Sequence, residues 1–104
     1  MFTAAMDLDT IRITEVGPRD GLQNEKKPIS SAQKIEFIRK LSKSGLQTIE
    51  TTSFVKADAI PQLADAKEVS LGLPVTDNHI ALVPNSIGYR AALEAGYHKV
   101  AVFT

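Results

Sequence analysis

Short apolar runs alternate with amphipathic stretches along the chain, and turn residues separate them. Ile11-Arg12-Ile13-Thr14-Glu15-Val16 is rich in β-branched residues and alternates apolar with polar, which predicts a strand ended by Gly17-Pro18. Ser30-Ser31-Ala32-Gln33 reads as a capping box, the Ser30 hydroxyl facing the amide three residues on and Gln33 reaching back. A helix follows, with Ile35, Phe37, Ile38 and Leu41 on one face, Lys34, Glu36, Arg39, Lys40 and Lys43 on the other, and Gly45 as its stop. Leu46 to Thr51 is the second predicted strand. Pro61 starts a second helix in which Leu63, Ala64, Lys67, Glu68, Val69 and Leu71 run to a closing Gly72. His79-Ile80-Ala81-Leu82-Val83 is a third strand. Pro84-Asn85-Ser86 caps a third helix, whose Ala91, Ala92, Leu93 and Ala95 form a small-residue face closed by Gly96. Lys99 to Phe103 is a fourth strand.

A strand followed by a helix, three times over, and then a last strand predicts an α/β fold with a parallel sheet covered by helices. Ile80 to Val83 and Val100 to Phe103 are apolar without alternation, as expected of parallel strands buried on both faces. A complete eight-stranded β/α barrel needs about 200 residues or more. The 104 residues here therefore supply a partial, half TIM barrel of about four parallel strands and three helices. The expected organisation is an N-terminal tail over residues 1–10 and one barrel unit over 11–104, with no low-complexity linker between elements.

Composition narrows the functional classes. Twelve basic residues balance twelve acidic ones, so no bulk field draws the protein towards nucleic acid or an anionic membrane. The one basic doublet that precedes a turn, Lys26-Lys27, reads as a solvated loop. Without cysteine there is no disulfide framework, thiolate metal site or cysteine nucleophile. Met1 to Thr10 carry Asp7 and Asp9 and neither Arg nor Lys, unlike a signal or mitochondrial presequence, and no apolar run approaches the roughly 18 residues of a membrane span. A cytoplasmic protein that binds neither nucleic acid nor membrane is expected.

In β/α barrels the active site lies at the carboxyl ends of the strands. Arg19, Asp20 and Gln23 follow the first predicted strand, Glu50 and the Thr51-Thr52-Ser53 hydroxyls end the second, and Pro84-Asn85 follow the third, so all three groups point to one mouth. His79 and His98 precede their strands and belong to the opposite face. Asp20 offers a hard carboxylate for a divalent cation. Arg19 can set its guanidinium against a developing enolate oxygen, and Glu50, one strand over, can hold Arg19 in place by a charge-assisted pair. Glu15 is expected inside the barrel, behind these groups. Taken alone, an Arg-Asp dipeptide in a glycine-rich turn is usually only a surface ion pair, and Asn85 is more often a helix cap than a ligand.

The full string from Gly17 to Glu25, Gly-Pro-Arg-Asp-Gly-Leu-Gln-Asn-Glu, together with Glu50-Thr51-Thr52-Ser53-Phe54, strongly resembles the 3-hydroxy-3-methylglutaryl-CoA lyase family of the aldolase-like metal-dependent barrels. The resemblance runs from about Ile11 to Phe103 and covers the front half of such an enzyme. It implies carbon–carbon lyase chemistry, cleavage of 3-hydroxy-3-methylglutaryl-CoA to acetyl-CoA and acetoacetate, as in leucine degradation and ketone body formation. It implies Asp20 as a metal ligand for Mg²⁺ or Mn²⁺, Arg19 and Glu50 as catalytic residues, and Arg19, Gln23 and Ser53 as contacts to the acyl-CoA substrate. The family completes its metal site with a His-x-His pair and an Asn from later strands, and its lyases use a late cysteine. None of these occurs in the 104 residues, so the metal site is incomplete here and the isolated chain is expected to be inactive.

Two other readings stand beside this one. A non-catalytic half barrel could serve as an assembly module, pairing as a homo-oligomer through the apolar edge left by the fourth strand. A related barrel lyase or synthase could act on another acyl-CoA with a tertiary hydroxyl.

Overall fold

The computed structural model describes residues 11–102. Both the predicted tail over residues 1–10 and Phe103 lie outside the described residues. Strands β1 (Thr14–Glu15), β2 (Thr48–Ser53), β3 (His79–Val83) and β4 (Val100–Val102) form one sheet in sequential order, every neighbouring pair parallel. Helices α1 (Ser31–Ser42), α2 (Ala66–Gly72) and α3 (Ser86–Glu94) fill the three crossovers. This is the predicted alternation, a partial TIM-barrel-like α/β fold.

All three helices pack on one face of the sheet. Ile49 of β2 is buried with Ile38 of α1, Val69 of α2 and Leu73, while Ala81 and Val83 of β3 are buried with Ala92 of α3 and Tyr97. Register pairs Ile49 with His79, so these strand residues share the helix-facing side. The Tyr97 hydroxyl sits between Thr51 Oγ1 at 2.5 Å and Ser70 Oγ at 2.9 Å, which satisfies the polar groups that the packing buries. Burial raises the Tyr97 pKa above its ordinary value of 10.0 against the lowering effect of both hydroxyls, so it stays a neutral phenol.

The α1 capping box forms as read: Gln33 N–H donates to Ser30 Oγ and Ser30 N–H to Gln33 Oε1, both at 3.1 Å. Asn85 caps α3, its Oδ1 accepting from Gly88 N–H at 2.9 Å. Gly45 and Gly96 adopt the left-handed conformation that their stop role requires, with φ of 91° and 100°. Gly72 does not. A Cβ there would lie 2.3 Å from Ile35 Cδ1, the movable end of that side chain.

Several boundaries and faces differ from the sequence expectation. Only Thr14–Glu15 of the first run pair, because β2 starts at Thr48 and offers nothing opposite the residues before Thr14; Ile11 and Ile13 are left exposed. β2 is shifted two residues towards the carboxyl end of its predicted span, and β4 begins at Val100, one residue later than predicted. The β3 run is not buried on both sides: His79, Ala81 and Val83 are buried, while Ile80 and Leu82, on the face away from the helices, are only half-buried. The helix expected from Pro61 is broken into a single turn, Pro61–Leu63, and α2, with Asp65 at the break. The short α2 buries Ala66, Val69 and Ser70, and Leu71 falls off that face into solvent. Lys34, expected in solvent, is buried, because that break leaves the Gln62 carbonyl and the Asp65 carboxylate as acceptors for its ammonium.

Candidate active site

The chain leaves β1 through a wide turn, Gly17–Gly21, in which the Val16 carbonyl accepts from Arg19 N–H at 3.1 Å and Asp20 N–H at 2.6 Å. Glu15 caps the turn, its Oε2 accepting from Gly17 N–H at 3.0 Å. Glu15 thus steadies the backbone that presents Arg19. Asn24 Nδ2 donates to the Asp20 carbonyl at 2.9 Å and closes the other end.

Arg19 reaches across to β2. Its Nε donates to Glu50 Oε1 at 2.5 Å, and its Nη1 donates to Asp20 Oδ1 at 3.1 Å and Gln23 Oε1 at 3.4 Å. The Arg19 and Glu50 side chains are only 18% and 9% exposed, so this pair is held out of water, whereas Asp20 is 54% exposed. Among the described residues the partners of Arg19 take Nε and Nη1. Nη2 makes no hydrogen bond among these residues.

An irregularity in β2 brings a second polar group to the same side. Glu50 pairs with Ile80 and Ser53 with Leu82, although three residues separate one pair on β2 and two separate them on β3. The extra residue is a bulge between Glu50 and Thr52, which flips the parity of the strand so that Glu50 and Ser53 share one face. Ser53 Oγ donates to the Leu82 carbonyl at 2.9 Å. Arg19, Gln23 and Ser53 line a cleft of about 340 Å³ with Val55, Ile60 and Leu82. Ser53 is fully buried, so Arg19 and Gln23 are the polar groups that face the cleft, and with the apolar wall they suit a ligand with a polar head and an aliphatic body.

The structure therefore brings Arg19, Asp20, Gln23, Glu50 and Ser53 to one mouth at the carboxyl end of the sheet. Thr51 turns away to Tyr97, and Asn85 is occupied as a cap. His79 and His98 lie at the other end, where His79 Nδ1 accepts from Thr76 N–H at 3.1 Å and His98 Nδ1 stands 3.2 Å from Asp77 Oδ1. Sequence reasoning did not find the apolar wall. Leu82 was concealed in a run read as uniformly buried, and Val55 and Ile60 lie in a loop with no periodicity.

Among the described residues no three His, Cys, Asp or Glu side chains meet in a group able to hold a metal ion. Asp20 is a single, half-exposed carboxylate with one oxygen already beside Arg19. Divalent cations such as Mg²⁺ exchange water only for several well-placed oxygens. The residues present do not by themselves make a metal site.

A parallel β/α sheet with a buried arginine–carboxylate pair at the carboxyl ends of its strands is the arrangement expected of part of a β/α barrel. The HMGL-like family model matches residues 10–104, and the chain belongs to that family. It is 50% identical over 95 residues to the 3-hydroxy-3-isohexenylglutaryl-CoA/hydroxy-methylglutaryl-CoA lyase of Pseudomonas aeruginosa, covering 89% of this chain and 32% of that protein. The HMG-CoA lyase of Bacillus subtilis superposes with a TM-score of 0.86 at 46% identity, over 91% of this chain and 33% of that one. An HMG-CoA lyase from Acinetobacter baumannii, solved with coenzyme A and 3-methylmalate, gives 0.85 at 38% identity, over 90% of this chain and 32% of that one. The chain spans about a third of the length of these relatives, less than the half that the motif resemblance implies.

Proposed function

We propose that this chain contributes the arginine–carboxylate corner of a hydroxymethylglutaryl-CoA lyase active site, which cleaves 3-hydroxy-3-methylglutaryl-CoA to acetyl-CoA and acetoacetate once the barrel is complete. The observation that carries this reading is the Arg19–Glu50 pair at 2.5 Å, buried at the strand ends beside Asp20 and Gln23. Cleavage leaves an enolate on the departing acetyl thioester, and a positioned cation at that oxygen lowers the barrier. Glu50 fixes the guanidinium before substrate arrives, so no reorganisation is needed as the charge develops. Gln23 supplies a polar contact, Ser53 supports the cleft wall through its hydrogen bond to the Leu82 carbonyl, and Val55, Ile60 and Leu82 accept the aliphatic part of the acyl group.

Members of this family are generally metal-dependent. Asp20 is the carboxylate best placed to contribute to a shared Mg²⁺ or Mn²⁺ site, whose remaining donors would have to come from outside the described residues. The name of the P. aeruginosa relative gives one specific reason to keep the substrate class broad: it pairs the methylglutaryl thioester with an isohexenyl homologue. An open cleft with an apolar wall is compatible with either.

The test is a graft. Residues 10–104 replace the matching segment of the P. aeruginosa lyase, and acetoacetate release from 3-hydroxy-3-methylglutaryl-CoA is measured with Mg²⁺ and with Mn²⁺. The expected result is an active graft in which Arg19→Lys lowers turnover by about 10²-fold or more, because an ammonium cannot both pair with Glu50 and present a second fixed donor. A folded, inactive graft, or near-normal turnover of Arg19→Lys, would overturn the proposal. The 104-residue chain alone is expected to release no acetoacetate.

A further inference from the structure

The loop that carries Asp20 and Gln23 is tied down from outside the cleft by a chain of polar groups that the proposed chemistry does not use. Gln62 Nε2 donates to the Glu25 carbonyl at 3.0 Å. The carbonyl of Gln62 accepts from the buried Lys34 ammonium at 2.5 Å, which also donates to Asp65 Oδ1 at 2.6 Å. The other oxygen of Asp65 accepts from Ser31 Oγ at 2.6 Å. The partner of the Gln62 amide is a carbonyl, so its NH₂ must face the loop. Inside the loop, Glu25 N–H donates to the Leu22 carbonyl at 3.1 Å and Asn24 N–H to the Gly21 carbonyl at 3.3 Å. The contact at Glu25 thus closes the far end of the segment that bears Asp20 and Gln23. Gln62 also lies two residues beyond Ile60, which lines the cleft.

We infer that Gln62 is a positioning residue. Its backbone is fixed by Lys34 at the head of α1, and its side chain clasps the loop after β1 to the loop after β2, which sets where Asp20 and Gln23 stand at the mouth. A buried lysine ion-paired to Asp65 is a costly way to hold two helices together. Its use here is explained by the second bond it makes, to the carbonyl of the residue that holds the loop. The catalytic meaning of this clasp rests on the lyase reading above; the order it imposes on the loop does not.

The test is amide hydrogen exchange on the 104-residue chain, comparing wild type with Gln62→Ala and Gln62→Glu. In Gln62→Ala the amides of Asn24 and Glu25 should exchange about three- to tenfold faster, the equivalent of one hydrogen bond, while Ile49 and Ala81 in the sheet keep their protection. Gln62→Glu is the decisive variant because it preserves size and removes the donor. At pH 7 its carboxylate cannot donate to the Glu25 carbonyl and should loosen the loop as Ala does. Below the ordinary carboxylate range of about 4.3, the protonated acid regains a donor and protection should return to the wild-type value at the same pH. Lys34, Asp65 and Glu25 are the ionisable neighbours in the clasp, and all three are present in both proteins, so their titration cancels in that comparison. Wild-type exchange at Asn24 and Glu25 in Gln62→Ala, equal acceleration at Ile49 and Ala81, or a Gln62→Glu profile that does not change with pH would each overturn the inference. An inactive graft would leave this result standing, and a failed exchange test would leave the lyase reading standing.

Discussion

Two ion pairs of this chain join opposite charges under contrasting conditions, and the contrast can be measured. Arg19 Nε and Glu50 Oε1 are 2.5 Å apart with side chains 18% and 9% exposed; Lys40 Nζ and Glu36 Oε1 are 3.9 Å apart and 75% and 60% exposed. A hydrogen bond to a charged group contributes about 1.5–3 kcal/mol. Breaking a buried pair costs about 3–5 kcal/mol when the remaining charge has no other partner. Arg19 retains Asp20 on Nη1, so the coupling of Arg19 to Glu50 should lie at the lower figure, about 2 kcal/mol. The exposed i,i+4 pair should couple by about 0.3–0.5 kcal/mol. Urea denaturation of Arg19→Ala, Glu50→Ala and the double variant, beside the corresponding Lys40 and Glu36 set, gives both coupling energies. At 1 M salt the screening length falls to about 3 Å, which should abolish the second coupling and leave most of the first. If the Arg19–Glu50 coupling stayed below about 0.5 kcal/mol and vanished in salt, Arg19 would be a surface arginine, and the fixed guanidinium on which the proposed chemistry depends would not exist.

Two further results are expected of the same chain. Gly88→Ala places a Cβ 2.5 Å from the Phe54 carbonyl oxygen, a backbone atom that cannot swing aside, so overpacking of about 1–3 kcal/mol should exceed the roughly 1 kcal/mol gained in helix propensity. Gly21→Ala, which meets nothing within 4 Å, should stay within about 0.5 kcal/mol of wild type; equal urea midpoints for the two variants would contradict the packing described here. Burial lowers the pKa of His79 from its usual 6.5, so the folded state binds its proton less readily than the unfolded chain does. The stability due to neutral His79 is complete above about pH 6.5 and is lost as pH falls from there through the folded-state pKa, with a limiting slope of about 1.4 kcal/mol per pH unit. Urea midpoints from pH 8 to 5 should therefore drop more steeply for wild type than for His79→Gln, and parallel curves would refute the assignment.

Strand order, helix order and the gathering of Arg19, Asp20, Gln23 and Glu50 at the strand ends were legible in the chain because each depends on local rules: β-branched runs, caps, glycine stops, and the placement of loops at strand ends; Thr51 and Asn85, expected at the same mouth, are engaged by Tyr97 and Gly88 instead. The errors share a different origin. Nothing local to Ile11 or Ile13 reveals that β2 starts too late to pair with them. Lys34 was assigned to solvent because a charge on a helix usually belongs there, and its burial depends on acceptors at Gln62 and Asp65, about thirty residues away. Pro61 announced a helix correctly, but no helix breaker marks the break at Asp65, whose carboxylate bonds to Ser31 and Lys34 of α1.

The bulge in β2 shows why the motif Glu50-Thr51-Thr52-Ser53 reads as a signature yet resists explanation from its own residues. In a regular strand Glu50 and Ser53 would point to opposite faces, and a strict period of two would have sent Ser53 towards the helices. Thr51, two residues on from the helix-facing Ile49, meets the Tyr97 hydroxyl on the helix side as regular alternation would have it, and the extra residue then returns Ser53 to the face of Arg19 and Glu50. That return depends on the pairing with β3, where Ile80 and Leu82 stand opposite Glu50 and Ser53, so the geometry of the mouth is set by the neighbouring strand as much as by the motif that advertises it.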